Sequence, residues 1–244
     1  MKIIGIDLAW QSERNTTALA IGELHNGVLR ISELYDSLAG LREIKDVIER
    51  QVDIGGVAID ASLIIENDSG QRPCEKALSK VYGGRKSSCH ASNKTLYPNA
   101  SSAALATYLS ERGFAHLGRP NEERWQIECY PHPAIIEIFD LPERLSYKKG
   151  RVGEKKQGQV QLANLIITLE DSQVLKLQTS AEVSDYLVEE NILAKRGRRM
   201  KQNEDALDSI ICAYIGALYA SEIPNSIFGS IATGYIYVPT KRCI

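Results

Sequence analysis

The order of segments predicts an α/β domain built on a mixed sheet, and three observations carry that expectation. The chain opens on an apolar strand that ends in an acid, Ile3-Ile4-Gly5-Ile6-Asp7. Asn26-Gly27 lies between two strand-like runs at residues 17–24 and 28–35. That pair is a strong hairpin signal, because both central positions of a type I′ turn need positive φ. Segments with helical periodicity then alternate with short apolar strands, the pattern of α/β folds.

Taken in order, Ile3, Ile4, Ile6 and Leu8 make the first segment a buried strand, and the next two runs complete an antiparallel meander. Apolar residues at 38, 41, 44, 47, 48 and 52 have helical spacing, closed by Gly55-Gly56. Val57-Ala58-Ile59-Asp60 is a short strand ending in a second carboxylate. Residues 61–98 are polar and predict an insertion, spanning about 62–124, that stays outside the core, with a short helix at 74–81. A helix over 100–113 stops at Gly113, and a strand over 125–130 is ended by Pro131 and Pro133. A short helix at 135–139, a basic loop at 147–157, helices at 160–169 and 181–193 and a basic linker at 195–201 follow. A long helix over 203–221 precedes a hairpin over 227–238 that turns near Thr233-Gly234. No repeat or interdomain linker is evident, so residues 1–244 read as one domain.

The 244 residues are 43% hydrophobic, enough to bury a core, which excludes a disordered chain. With 29 basic and 31 acidic residues, a histone-like polycation is excluded, while local basic patches are not. Five cysteines at 74, 89, 129, 212 and 243 form no C-x-x-C pair, so neither a zinc site nor a disulfide framework is expected and a reducing cytoplasm is. The opening apolar run is too short for a signal peptide, and no stretch approaches the roughly 18 apolar residues of a membrane span. No membrane contact is expected, and the oligomeric state is left open.

Carboxylates beside apolar strand residues are costly to bury unless paired or bound to a cation. Asp7 interrupts a core strand, Asp60 ends another, and Asp205 and Asp208 lie three apart on one face of the last long helix. Together these acids suggest a site for a hard divalent cation, Mg²⁺ or Mn²⁺. Local Asx bonding remains open for Asp60, and helix-start placement for Asp205. Glu128 stands beside the strand edge as a further ligand, a water-orienting group or the partner of an arginine. His132, between two prolines, is a candidate proton carrier or a structural hydrogen-bonder. Arg72 and Glu75 either pair to shape a lid or reach substrate phosphate. Positive charge concentrates in loops 148–156 and 195–201, where Lys148, Lys149, Arg198 and Arg199 are candidates for phosphate contacts. Trp10, Tyr82 and Tyr97 are candidates for base stacking.

Five blocks carry a family resemblance: G-I-D-L-A-W at 5–10, V-A-I-D-A at 57–61, R-P-C-E at 72–75, E-C-Y-P-H-P-A at 128–134 and D-A-L-D-S-I-I-C-A-Y at 205–214. In this order they resemble DUF429, a family of predicted ribonuclease H-like nucleases, with a RuvC-like acidic site. The resemblance implies a mixed five-stranded sheet of order 3-2-1-4-5, strand 2 antiparallel, with helices on both faces. It implies that Asp7 and Asp60 sit on neighbouring strands and that the last helix brings Asp205 and Asp208 to them. Ser62 stands where relatives often have proline, and Glu43 and Glu49 are the candidates for the glutamate that ribonuclease H carries on its first helix.

The expected activity is therefore hydrolysis of DNA or RNA phosphodiesters at a two-ion Mg²⁺ or Mn²⁺ site. Asp7 would bridge the ions, Asp60 and Asp208 would each hold one, and Asp205 would assist. Two rivals remain: an ATP-dependent phosphotransferase of the actin and hexokinase type, for which only one G-I-D lobe is present, and a nucleic-acid-binding protein without catalysis.

Overall fold

The structure, a computed structural model, describes residues 1–9 and 15–244. The strands are β1 (Lys2–Asp7), β2 (Thr16–His25), β3 (Val28–Ala39), β4 (Ile54–Asp60), β5 (Phe114–His116), β6 (Arg124–Glu128), β7 (Lys176–Thr179), β8 (Asn225–Ser230) and β9 (Gly234–Pro239). The α-helices are α1 (Gly40–Glu49), α2 (Pro73–Tyr82), α3 (Ser101–Glu111), α4 (Pro131–Ile138), α5 (Val152–Thr168), α6 (Ala181–Ser184), α7 (Glu189–Ala194) and α8 (Arg198–Ala220).

The main sheet has seven strands in the order β5-β6-β4-β1-β2-β3-β7, not the five in order 3-2-1-4-5 that were expected. The short strands β5 and β7 extend its two edges. β2 is antiparallel to both β1 and β3, and every other neighbouring pair is parallel. Asn26 and Gly27 turn the β2–β3 hairpin with φ of 48° and 73°, as the turn signal requires.

Side-chain alternation divides the core. Ile4, Ile6, Val57 and Ile59 pack with α1 and α3 on one face, while Ile3 and Ala58 pack under α8 on the other. Helices on both faces explain why β1 and β4 read as continuous apolar runs. By the same parity, Gly5, Asp7 and Asp60 belong to the α8 face. Glycine is required at position 5: a Cβ there would lie 2.1 Å from the backbone nitrogen of Ala213 and 2.3 Å from the carbonyl of Ser209. α8 therefore lies directly against β1. It is buried nearly all round from Asn203 to Leu218, so it is the central helix of the molecule.

Several local expectations are corrected. Residues 61–98 do contribute to a core: Cys74, Leu78 and Tyr82 of α2 pack with Ile136, Ile236 and Val238. Pro131 does not merely stop a strand. It begins α4, a favoured place for proline because the first helical N–H has no intrahelical partner. Tyr147, expected in a solvated loop, is fully buried, and α5 starts at Val152. The helix expected over 181–193 is two short helices, and β7 has no counterpart in the expected element order. α8 begins at Arg198, so the basic linker is partly its first turn. The hairpin expected at the C-terminal end is present as a separate two-stranded sheet, β8-β9, in which Tyr235, Ile236, Tyr237 and Val238 are buried and Tyr237 forms an isolated bridge to Cys129 beside β6.

Candidate acidic active site

Asp7 and Asp60 are register partners at the carboxyl ends of the parallel strands β1 and β4. Ligand sites of open α/β sheets form at such strand ends. The sheet-facing row of α8 runs through Asp205, Ser209, Ala213 and Gly216, so the close approach at Gly5 carries Asp205 to Asp7. Burial, and then the charge of Asp7, push the Asp205 carboxyl well above its ordinary range, while Lys201 at 2.5 Å opposes that shift. Lys201 also pairs with Glu204 at 2.8 Å. Asp60 is likewise driven up by burial, and Lys148 opposes the rise that Asp7 and Asp208 add to.

Asp208 stands apart from the other three. It is 0% exposed, accepts a hydrogen bond from the Tyr147 hydroxyl at 2.7 Å on Oδ1, and pairs through Oδ2 with Lys148 Nζ at 2.5 Å. It does not line the cleft described below. Its carboxylate is held by Tyr147 and Lys148, while its charge still acts on Asp60 and that of Asp7 acts on it. Burial raises its carboxyl, and Lys148 opposes that most strongly. The Lys148 ammonium, though desolvated, is held charged by Asp208 first and by Asp7 and Asp60 as well.

The cleft above these acids has a volume of about 1000 Å³. Its floor holds Asp7, Asp60 and Asp205, and its walls hold six cations: Lys86, Arg144, Lys148, Lys149, Arg198 and Lys201. Three of these cations are paired, Lys86 with Glu143, Lys148 with Asp208 and Lys201 with Glu204 and Asp205. His132 lines the same wall, edge-on to the rings of Tyr130 and Tyr147, and its Nδ1 has no partner. Burial, followed by the charges of Lys148, Arg144 and Lys149, depresses its pKa well below the usual histidine value, so the ring is neutral.

Other expected site residues do not line the cleft itself. Arg72 and Glu75 are buried and paired at 2.8 Å, and Arg72 Nη2 pairs with Glu128 at 2.5 Å. Glu128 also accepts the Leu63 N–H at 2.9 Å, so its oxygens are committed to the fold. All three are tied to one another, and with Asp60 they line a smaller cavity of about 90 Å³ that shares Cys89, His90 and Tyr130 with the cleft. Arg199 faces away from the cleft, beside Asp36, Glu182 and Asp185. Lys155 and Lys156 lie on α5, where the Lys156 ammonium donates to the Leu193 carbonyl. Tyr82 is buried against Phe228, and Tyr97 is not part of the cleft lining. Trp10 lies outside the described residues. Glu43 accepts the Ala39 N–H at the start of α1, and Glu49 pairs with Arg112, so neither joins the acids. Lys86, Arg144 and Tyr130 were not anticipated. They reach the cleft from loops whose sequence carries no periodic signal.

A family model, described as a protein of unknown function (DUF429), matches residues 5–231. The chain belongs to the DUF429 family. No curated protein and no solved structure matches it. The match takes in both acidic strands and α8 of this DUF429 chain, so its cleft floor lies within the family's shared region.

Among the described residues, no group of three or more His, Cys, Asp or Glu side chains is placed to hold a metal ion. An open pair of carboxylates still fits Mg²⁺, which commonly keeps several waters and takes one or two carboxylates plus substrate phosphate. Asp7 and Asp60 supply such a pair, and Asp205 borders it. Among the described residues, no helix is long and apolar enough to cross a membrane.

Proposed function

We propose that this protein is a Mg²⁺- or Mn²⁺-dependent nuclease that hydrolyses phosphodiester bonds of DNA or RNA, with an active site of ribonuclease H-like character. The supporting observation is the pairing of Asp7 and Asp60 on the floor of a cleft ringed by six cations. An acidic floor suits a divalent cation, and basic walls suit a polyanionic backbone contacted without base reading. Asp7 and Asp60 hold the cation, which would supply Lewis-acid polarisation of a phosphoryl oxygen and lower the pKa of a bound water.

Lys86, Arg144, Lys149 and Arg198 bind the phosphates flanking the scissile one. Water oxygen bonds to phosphorus as the bond from phosphorus to the leaving oxygen breaks. Solvent takes the proton that the water loses and returns one to the leaving oxygen, because burial holds the His132 pKa well below the usual histidine value and makes it a poor base.

The test is incubation of the chain with labelled single- and double-stranded DNA and RNA in Mg²⁺, Mn²⁺ or chelator. Metal-stimulated cleavage is expected, lost in Asp7→Asn and Asp60→Asn chains whose circular dichroism is unchanged. Absence of cleavage on every polymer, or full cleavage by Asp7→Asn, overturns the proposal.

A further inference from the structure

We propose that the cleft takes single-stranded nucleic acid, and that a side cavity beside Asp60 receives the apolar edge of one unpaired pyrimidine base. This rests on the reading of the cleft as a nucleic-acid site and deepens it by naming the form of the strand.

The cavity is the first ground. It holds about 90 Å³ and has Asp60, Cys89, His90 and Tyr130 in common with the cleft. The polar groups of its wall already have partners. Arg72 pairs with Glu75 at 2.8 Å and with Glu128 at 2.5 Å, Glu128 accepts the Leu63 N–H, and the Ser62 and Ser92 hydroxyls meet at 2.8 Å. With its guanidinium committed to two carboxylates, the wall offers a phosphate poor terms. The remaining lining is Ala61, Cys89, Cys129, Tyr130 and Ile236, and burial raises both thiols, so they stay neutral.

An apolar cavity of about 150 Å³ takes a benzene ring, so this one takes about four ring atoms and leaves the rest in the shared mouth. The C5–C6 edge of a pyrimidine, with the thymine methyl, has that size and polarity. A purine offers only C8 between two ring nitrogens.

Tyr130, at the mouth, is the second ground. Its hydroxyl donates to the Ser88 carbonyl at 3.3 Å, and its ring stands edge-on to His132 with centroids 5.6 Å apart. The ring is thus held where the base would emerge, and aromatic faces of this kind stack on unpaired bases. Among the described residues, Arg144, Lys149 and Arg198 of the cleft lining form no ion pair, which leaves them for the backbone phosphates. A base in a duplex reaches such a recess only after unpairing and unstacking.

The experiment is fluorescence anisotropy in chelator, with labelled oligo(dT), oligo(dA), an all-abasic strand and an A·T hairpin duplex at matched phosphate count and salt. Oligo(dT) is expected to bind most tightly, exceeding the abasic strand by roughly 5–150-fold, the range for one stacked base. Ala61→Leu fills the cavity and brings oligo(dT) to the abasic level while leaving the abasic strand unchanged. Tyr130→Ala also removes the oligo(dT) advantage. The comparison of strands on the wild type needs neither variant to fold. Equal wild-type affinity for oligo(dT) and the abasic strand, the duplex or oligo(dA) overturns the inference. Binding that ignores the bases, with metal-stimulated cleavage, sinks this inference and leaves the nuclease reading standing. An oligo(dT) preference without cleavage of any polymer does the reverse.

Discussion

Replacing Arg72 by methionine is the sharpest test of how the cleft is braced. Arg72 Nε donates to Glu75 at 2.8 Å, Nη1 to the Ile64 carbonyl and to Glu128 at 2.9 Å each, and Nη2 to Glu128 at 2.5 Å. The three side chains are at most 4% exposed. Methionine matches the aliphatic stem but leaves two buried carboxylates without their counter-charge. Breaking a buried ion pair from one side costs about 3–5 kcal/mol. For a chain of this size that is a fall of roughly 6–20 °C in melting temperature.

The loss has a pH signature. Burial already raises the Glu128 carboxyl, and Arg72 is the main influence holding it down. Without Arg72 that pKa rises further above the unfolded value of about 4.3. The folded mutant then binds more protons than the unfolded chain, so its stability falls as pH rises through that window. The gap between mutant and wild type should widen from acid to neutral pH in thermal melts. An Arg72→Met chain that melts with the wild type refutes the structural role. If it also loses nucleic-acid binding, Arg72 returns to the substrate contacts first expected of it.

Arg198 and Arg199 are neighbours in sequence, about 100° apart around the first turn of α8, one lining the cleft and the other not. Arg198→Ala should weaken nucleic-acid binding uniformly and lower the slope of log affinity against log salt by about 1, while Arg199→Ala should leave the slope unchanged in fluorescence anisotropy. Gly5→Ala would push a methyl group to 2.1 Å from the Ala213 backbone nitrogen. A loss of at least about 1–3 kcal/mol in urea unfolding is expected, since neither backbone can yield cheaply. Burial lowers the pKa of His116, whose Nδ1 lies 3.1 Å from a Tyr235 hydroxyl that itself donates to the Gln126 carbonyl. The unfolded chain therefore takes up the proton first. This share of stability is complete above about pH 6.5 and falls as pH drops toward the folded pKa. A His116→Gln chain should show a shallower acid limb.

The parts of the fold legible in the sequence are those written in local periodicity. The Asn26-Gly27 turn, the apolar runs of β1 and β4 and the helical spacing at 41, 44, 47 and 48 each follow from short-range sterics and one buried face. The sheet's edges were not legible, because β5 and β7 have only 3 and 4 residues and draw their pairing from strands distant in sequence. Nor was the core contribution of residues 61–98. Its polar side chains look solvated until Arg72, Glu75 and Glu128 are seen satisfying one another, and Ser62 and Ser92 meeting at 2.8 Å. Burial of polar groups depends on partners from several segments, and composition alone does not carry that information.

The same distinction separates the acids. The family resemblance implied that the strands of Asp7 and Asp60 are neighbours, and in the structure parity along them puts both acids on the face that receives α8. Asp208 was grouped with them by helical spacing, which fixes the angle between side chains but not what fills the space beside each. Asp205 continues the sheet-facing row, whereas Asp208, three residues on, turns to meet Tyr147 and Lys148 from the chain before α5. A lysine beside buried acids looks in sequence like one more phosphate contact in a basic loop. Its 2.5 Å approach to a carboxylate that is 0% exposed makes it part of the floor instead. The cleft thus joins two kinds of charge with different duties. Lys149 and Arg198 line the cleft, and Lys148 is pinned to the buried Asp208. Neutralising a rim cation should change the salt dependence of nucleic-acid binding, while neutralising Lys148 should leave a carboxylate that is 0% exposed without its counter-charge and lower the melting temperature.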